Sequence, residues 1–195
     1  MKIKIYILFL AVLFGCTTES RAQKAALKTN LFYGAYAFTP NLALELALSP
    51  HSTLELSGGY NPWNLNGSAT NNKKIAHWLG TIEYRYWLCR KFNGHFFGVH
   101  ALGGQYNISG HELPLLLGKG SRNYRYQGWG AGAGISYGYQ FVLGKHWNLE
   151  ASVGFGYARL RYDKYDCVKC GRKLGTESRN YYGPTKAAVS LVYLF

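Results

Sequence analysis

From Trp129 to Leu143 the chain alternates strictly. Trp129, Ala131, Ala133, Ile135, Tyr137, Tyr139, Phe141 and Leu143 are apolar or aromatic, and Gly130, Gly132, Gly134, Ser136, Gly138, Gln140 and Val142 between them are mostly small. A period of two sends successive side chains to opposite faces of a strand, whereas a helix needs a period near 3.6. Leu149, Ala151, Val153, Phe155 and Tyr157 repeat the pattern against Asn148, Glu150, Ser152, Gly154 and Gly156. So do Val189, Leu191, Tyr193 and Phe195 against Ala188, Ser190, Val192 and Leu194. A soluble sheet buries its apolar face and shows bulky polar groups to water. Here the second face has almost no bulk, which suits the crowded inside of a narrow barrel whose apolar face points out.

The pattern predicts eight strands: Ala26–Phe38, Leu42–Leu48, Thr53–Tyr60, His77–Leu88, His95–Ile108, Tyr126–Leu143, Trp147–Tyr162 and Tyr182–Phe195. The fifth is the least regular, since both faces of Phe96-Phe97-Gly98-Val99 are partly apolar. Tight connections at Ser49–Ser52, Arg90–Gly94 and Gly144–His146 alternate with long ones at Asn61–Ala76, Ser109–Arg125 and Asp163–Tyr181. Thr39-Pro40-Asn41 is short although it falls in the long set. Alternating loop lengths mark transmembrane barrels, with the long loops outside the cell. Trp63, Trp78, Trp87, Trp129 and Trp147 lie near predicted strand ends, where girdle aromatics belong. The expected fold is therefore all-β, an eight-stranded antiparallel up-and-down transmembrane β-barrel with long extracellular loops.

The N-terminus reads as a signal peptide over residues 1–22. Lys2 and Lys4 precede an apolar run from Ile5 to Phe14, and Ser20-Arg21-Ala22 offers small residues three apart, which makes Gln23 the mature N-terminus. Leu13-Phe14-Gly15-Cys16 also resembles a lipoprotein cleavage box, so lipidation of Cys16 stays open as an alternative. The barrel domain then spans 23–195. No later segment approaches the roughly 20 apolar residues of a spanning helix, and only helices and closed barrels satisfy their own backbone in lipid. The 24 Gly, 17 Tyr and 5 Trp among 195 residues fit a tight interior and aromatic girdles.

With this phasing Lys28, Glu45, Glu55, Glu83, Arg85, Glu150 and Lys186 point inward. Four carboxylates and three bases in a tight lumen should pair, because unpaired buried charge is costly. A salt-bridged core that plugs the barrel is the first reading; a buried catalytic or proton-handling carboxylate is the second. The net charge of +13 becomes +11 when Lys2, Lys4, Arg21 and Glu19 leave with the leader. The excess sits toward the long loops, including Lys119, Arg122, Arg125, Lys169, Arg172 and Lys173, with Arg159 and Arg161 at a strand end. Clustered cations at a membrane surface attract phosphates. Outer-membrane lipid and lipopolysaccharide are the expected partners, an acidic surface polymer the alternative, and nucleic acid is not expected.

Cys167-Val168-Lys169-Cys170 is one CxxC in a long loop and reads as a local disulfide. A zinc site would need two more ligands, so neither a metal nor a cofactor is expected. Cys89 lies at the other end of the barrel and reads as free. His100 and Ser109, nine residues apart in one strand, would be about 30 Å apart at ~3.3 Å per residue, too far for a catalytic pair.

Several stretches resemble a family of small outer-membrane β-barrels of unknown function from Gram-negative gut and oral anaerobes. They include Leu27-Lys28-Thr29-Asn30-Leu31, Leu56 to Trp63 (LSGGYNPW), Tyr84 to Cys89 (YRYWLC), Gly98 to Gly104 (GVHALGG), Trp147 to Ala151 (WNLEA), and Gly183-Pro184-Thr185-Lys186 onward to Phe195. The resemblance implies an outer-membrane barrel in the company of fimbria genes, with a fimbrial component as a further partner, and it implies no activity. Tyr193 with terminal Phe195 resembles the signal read by the barrel-assembly machinery. The expected function is non-enzymatic, structural or surface-interacting, in the cell envelope. A lipid-modifying outer-membrane enzyme and a soluble lipocalin-like binder, the latter requiring the apolar face to point inward, are the alternatives.

Overall fold

A computed structural model describes residues 23–35, 38–67, 72–113, 117, 121–166 and 171–195. Nine strands form in chain order: β1 (Ala25–Asn30), β2 (Asn41–Ala47), β3 (Ser52–Asn61), β4 (Asn64–Gly67), β5 (Asn72–Trp87), β6 (Gly94–Ser109), β7 (Arg125–Val142), β8 (Trp147–Tyr165) and β9 (Lys173–Leu194). Every pairing is antiparallel. β4 continues β3 along β5 beyond Pro62-Trp63, as Asn61↔His77 is followed by Asn64↔Lys74. The two count as one interrupted strand, so eight strands close into a ring. β1 pairs with β9 from Ala26↔Leu194 to Asn30↔Ser190, and the Lys24 amide donates to the Phe195 carbonyl at 3.1 Å. Among the described residues no helix is long and apolar enough to cross a membrane, which says nothing about strands.

The inside–outside phasing follows the alternation. Along β7, Ile135 is 68% exposed, while Ser136 and Gln140 are buried. In β6, Phe96 points in and is fully buried while Phe97 and Val99 point out, so the ambiguous fifth strand obeys the same rule. The glycines of the inner face make room for larger neighbours. A Cβ at Gly98 would strike the Ser136 hydroxyl and the Glu83 carboxylate, and one at Gly134 would lie 2.9 Å from both His100 Nε2 and Thr185 Oγ1.

The outward face is an aliphatic band bordered by aromatics. Leu44, Leu56, Ile82, Val99, Ile135 and Val153 are exposed in the band. Tyr84, Tyr86, Tyr137, Phe141, Trp147 and Phe195 lie toward the short turns, and Tyr60, Trp63, Trp78, Trp129 and Tyr182 toward the long connections. Trp87 departs from the girdle expectation. It shares the inward phase of Glu83 and Arg85, is fully buried, and its indole N–H donates to Thr53 Oγ1 at 2.9 Å.

Trp87, Phe92, Phe96, Ala26, Val192 and Leu194 pack into a plug at the short-turn end. Phe92 sits in the turn between β5 and β6 with a φ of 64°, an uncommon conformation for a bulky residue. Its buried ring lies 6.1 Å from Trp87, and its carbonyl accepts from Asn148 Nδ2 at 3.0 Å, so the turn folds back into the barrel mouth.

Strand limits differ from the sequence expectation in three places. β1 stops at Asn30, and a short helix α1 (Leu31–Ala35) follows where strand was expected to reach Phe38. The Asn30 side chain accepts from the Phe32 and Tyr33 amides at 3.1 and 3.3 Å, the capping bond that starts a helix. The connection to β2 is therefore long, in keeping with its end of the barrel. β9 begins at Lys173 and β5 at Asn72, so much of two expected loops is paired strand.

Candidate functional site

The inner-face charges meet in one layer. Lys28 on β1 places Nζ against Glu45 on β2, 3.1 Å from Glu55 on β3 and 2.5 Å from Glu150 on β8. Arg85 on β5 reaches Glu45 at 3.1 Å, Glu55 at 2.7 Å, Glu83 at 2.8 Å and Glu150 at 2.9 Å. Lys186 on β9 bonds Glu55 at 3.1 Å and also Glu83. All except Lys186, whose side chain is 14% exposed, are nearly or fully buried. Thr53 donates to Glu45 and Ser136 to Glu83, and the Arg85 guanidinium lies 4.5 Å from the centre of the Phe96 ring. Removing one partner of such a set strands a buried charge and costs about 3–5 kcal/mol.

Carboxylate oxygens of Glu45, Glu55 and Glu150 lie within 4.8 Å of one another, close enough to hold a cation. The Lys28 ammonium bonds all three, so a side chain of the protein takes the place a metal would have.

A β-bulge adds to the layer. Gly154 pairs with Lys186 and Phe155 with Pro184, which leaves Thr185 extra. Thr185 Oγ1 bonds His100 Nε2 at 2.9 Å, and His100 Nδ1 lies 3.9 Å from Glu83. The order Thr–His–Glu resembles a nucleophile relay, but 3.9 Å is beyond hydrogen-bond length. The imidazole acts instead as a wedge between Gly134 and Gly154. Ser109 takes no part, as the strand distance required. His100 as a neighbour of the layer was legible from its inward phase; Thr185 was not, because a bulge shifts the period without a sequence mark.

The described basic residues expected to make surface contacts lie at the opposite end from the plug. Arg159 and Arg161 point outward just past the apolar band, paired with Ala131 and Trp129. Arg122 lies in a 3-10 turn (Ser121–Asn123), its amide donating to Glu112 at 3.2 Å. Arg125 opens β7 with its guanidinium 4.2 Å from the Tyr165 ring centre. Arg172 is exposed just before β9, and Lys173 lies 2.8 Å from Asp163. Hydrogen bonds from Lys173 and Thr176 hold the exposed Asp163 carboxyl below its ordinary pKa. Lys119 and Lys169 lie outside the described residues, as does the expected Cys167–Cys170 pair.

A family model matches residues 7–195. The chain belongs to the family described as "Protein of unknown function (DUF3575)". No curated protein matches it. The family carries no assigned activity to transfer, so the reading of the site rests on the side chains themselves.

Cys89 corrects one expectation. It is disulfide-bonded and not free. Cys89 is the only cysteine among the described residues.

Proposed function

We propose that the protein is a non-enzymatic barrel of the outer membrane whose basic end contacts the phosphates of lipopolysaccharide. The observation that carries this reading is the position of Arg159 and Arg161. They project outward beside Trp129 and Tyr157, immediately beyond a band of exposed Leu, Ile and Val. From Trp129 to Tyr139 the β7 outward face runs ten positions. That is about 33 Å of strand at ~3.3 Å per residue, or roughly 25 Å of height at the tilt usual for barrels, the thickness of an outer-membrane band. An aromatic at each border and arginines past one of them fit an apolar slab with anionic headgroups on that side.

Residues 1–22 would direct export, and Phe195, exposed beside Tyr193, would engage the barrel-assembly machinery. An acidic surface polymer or a fimbrial component is a further partner for Arg122, Arg125, Arg172 and Lys173 at the same end. The lumen layer supports a structural role, since its carboxylates are engaged by Lys28, Arg85 and Lys186.

The test is purification of the wild type and an Arg159→Ser, Arg161→Ser double variant from outer membranes in mild detergent. Phosphate-bearing lipid A retained per barrel should fall several-fold in the variant, with the heat-dependent gel shift of a folded barrel unchanged. Equal retention would remove the arginines from the account.

A further inference from the structure

Above the ion-pair layer the barrel is not filled. One cavity of about 330 Å³ has Lys28, Glu55, Glu150 and Lys186 among its lining, with Ser57, Thr81 and Thr185 on its walls. A second, of about 270 Å³, is mainly apolar, with Leu79, Leu102, Leu113 and Leu160 in its lining beside His77 and Tyr106. Tyr33 and Leu79 border both. Tyr33 comes from α1, lies over Gly59 and bonds His77, so it stands where the two spaces adjoin.

The charge of the layer sets what the first cavity favours. Among the described residues Glu45, Glu55, Glu83 and Glu150 pair with Lys28, Arg85 and Lys186, a surplus of one carboxylate. His100, the neighbouring titratable group, spends Nε2 on Thr185 and holds Nδ1 3.9 Å from Glu83. A surplus negative charge shielded from water draws a cation strongly. Lys28 already occupies the point where three carboxylates converge, which disfavours a bare metal ion there. The hydroxyls of Ser57, Thr81 and Thr185 offer acceptors suited to an ammonium with three N–H donors. The adjoining apolar cavity suits an organic substituent. Pockets that bind small molecules combine a mainly apolar lining with a few placed polar groups.

We infer that the lumen binds a small organic ammonium ion, its charged end over the ion-pair layer and its apolar group between Leu79, Leu102 and Leu160. The site is independent of the lipid contacts proposed above, because it lies on the inner face and they lie on the outer.

Phenethylammonium is a suitable probe, with phenylacetate and 2-phenylethanol as controls of opposite and no charge. Binding is measured calorimetrically on the full barrel in lipid nanodiscs, with empty nanodiscs subtracted to remove partition into lipid. The ammonium should bind saturably, at least tenfold more tightly than either control. Leu102→Trp fills the apolar cavity, and Ser57→Lys puts a cation beside the surplus carboxylate. Each should weaken ammonium binding tenfold or more in barrels that still show the folded gel mobility. If either variant does not fold, Thr81→Lys and Leu160→Trp put the same two changes on other strands. No saturable ammonium binding, equal binding of all three probes, or unchanged binding in the folded variants would overturn the inference.

Discussion

Arg85 Nη1 stands 2.9 Å from Glu150 Oε2, so one ion pair joins β5 to β8 across the lumen. The same guanidinium bonds Glu45, Glu55 and Glu83. The planar fork of arginine serves several acceptors at once, which a lysine ammonium at that position would not reproduce.

Arg85→Leu should therefore destabilise the barrel by about 3–5 kcal/mol, the usual cost of stranding a buried charge. Arg85→Lys should recover only part of this. Urea unfolding of barrels in lipid vesicles, followed by tryptophan fluorescence, measures both. A loss under about 1 kcal/mol for Arg85→Leu would mean that the layer is solvated and its pairs weak.

The glycine face gives a second test. Gly134→Val should prevent closure, because even a Cβ there meets the Phe155 carbonyl, His100 and Thr185. Ala133→Val, one residue away on the outward face, should fold normally. The folded fraction is read from the heat-dependent gel band. Equal folding of the two would reverse the assignment of faces.

Phe92→Ala should open the plug at the short-turn end. Truncating a buried Phe costs about 3–5 kcal/mol, and this ring also holds its turn inside the barrel mouth against Trp87. Midpoint shifts in the same urea experiment report the loss. A shift no larger than that of an exposed turn variant such as Lys145→Ala would show that the plug adds nothing.

These tests follow how the sequence carries the fold. Strand number and phase were legible because an apolar face alternates with one of glycine and polar residues through β7 and through β8 as far as Tyr157. Inward phase alone brought Lys28, Glu45, Glu55, Glu83, Arg85, Glu150 and Lys186 together before any pairing was known. The start of β9 was not legible. Residues from Lys173 to Tyr181 are mostly polar on both faces, since they extend past the apolar band, and their backbone pairing with β8 is what makes them strand. Asn30 as a helix cap is a signal the sequence does contain, overshadowed by the apolar residues that follow it. Trp87 was misplaced by its nearness to a strand end, although its phase with Arg85 already pointed inward. The two cavities had no sequence mark, because they arise where inner side chains of several strands fail to meet.

The most direct test of the central claim is gel mobility of the outer-membrane fraction in mild detergent, boiled against unboiled. The account predicts a band in that fraction that migrates differently once heated, as a closed barrel unfolds. A soluble band with no shift would contradict it, and would mean that the exposed aliphatic band faces something other than lipid.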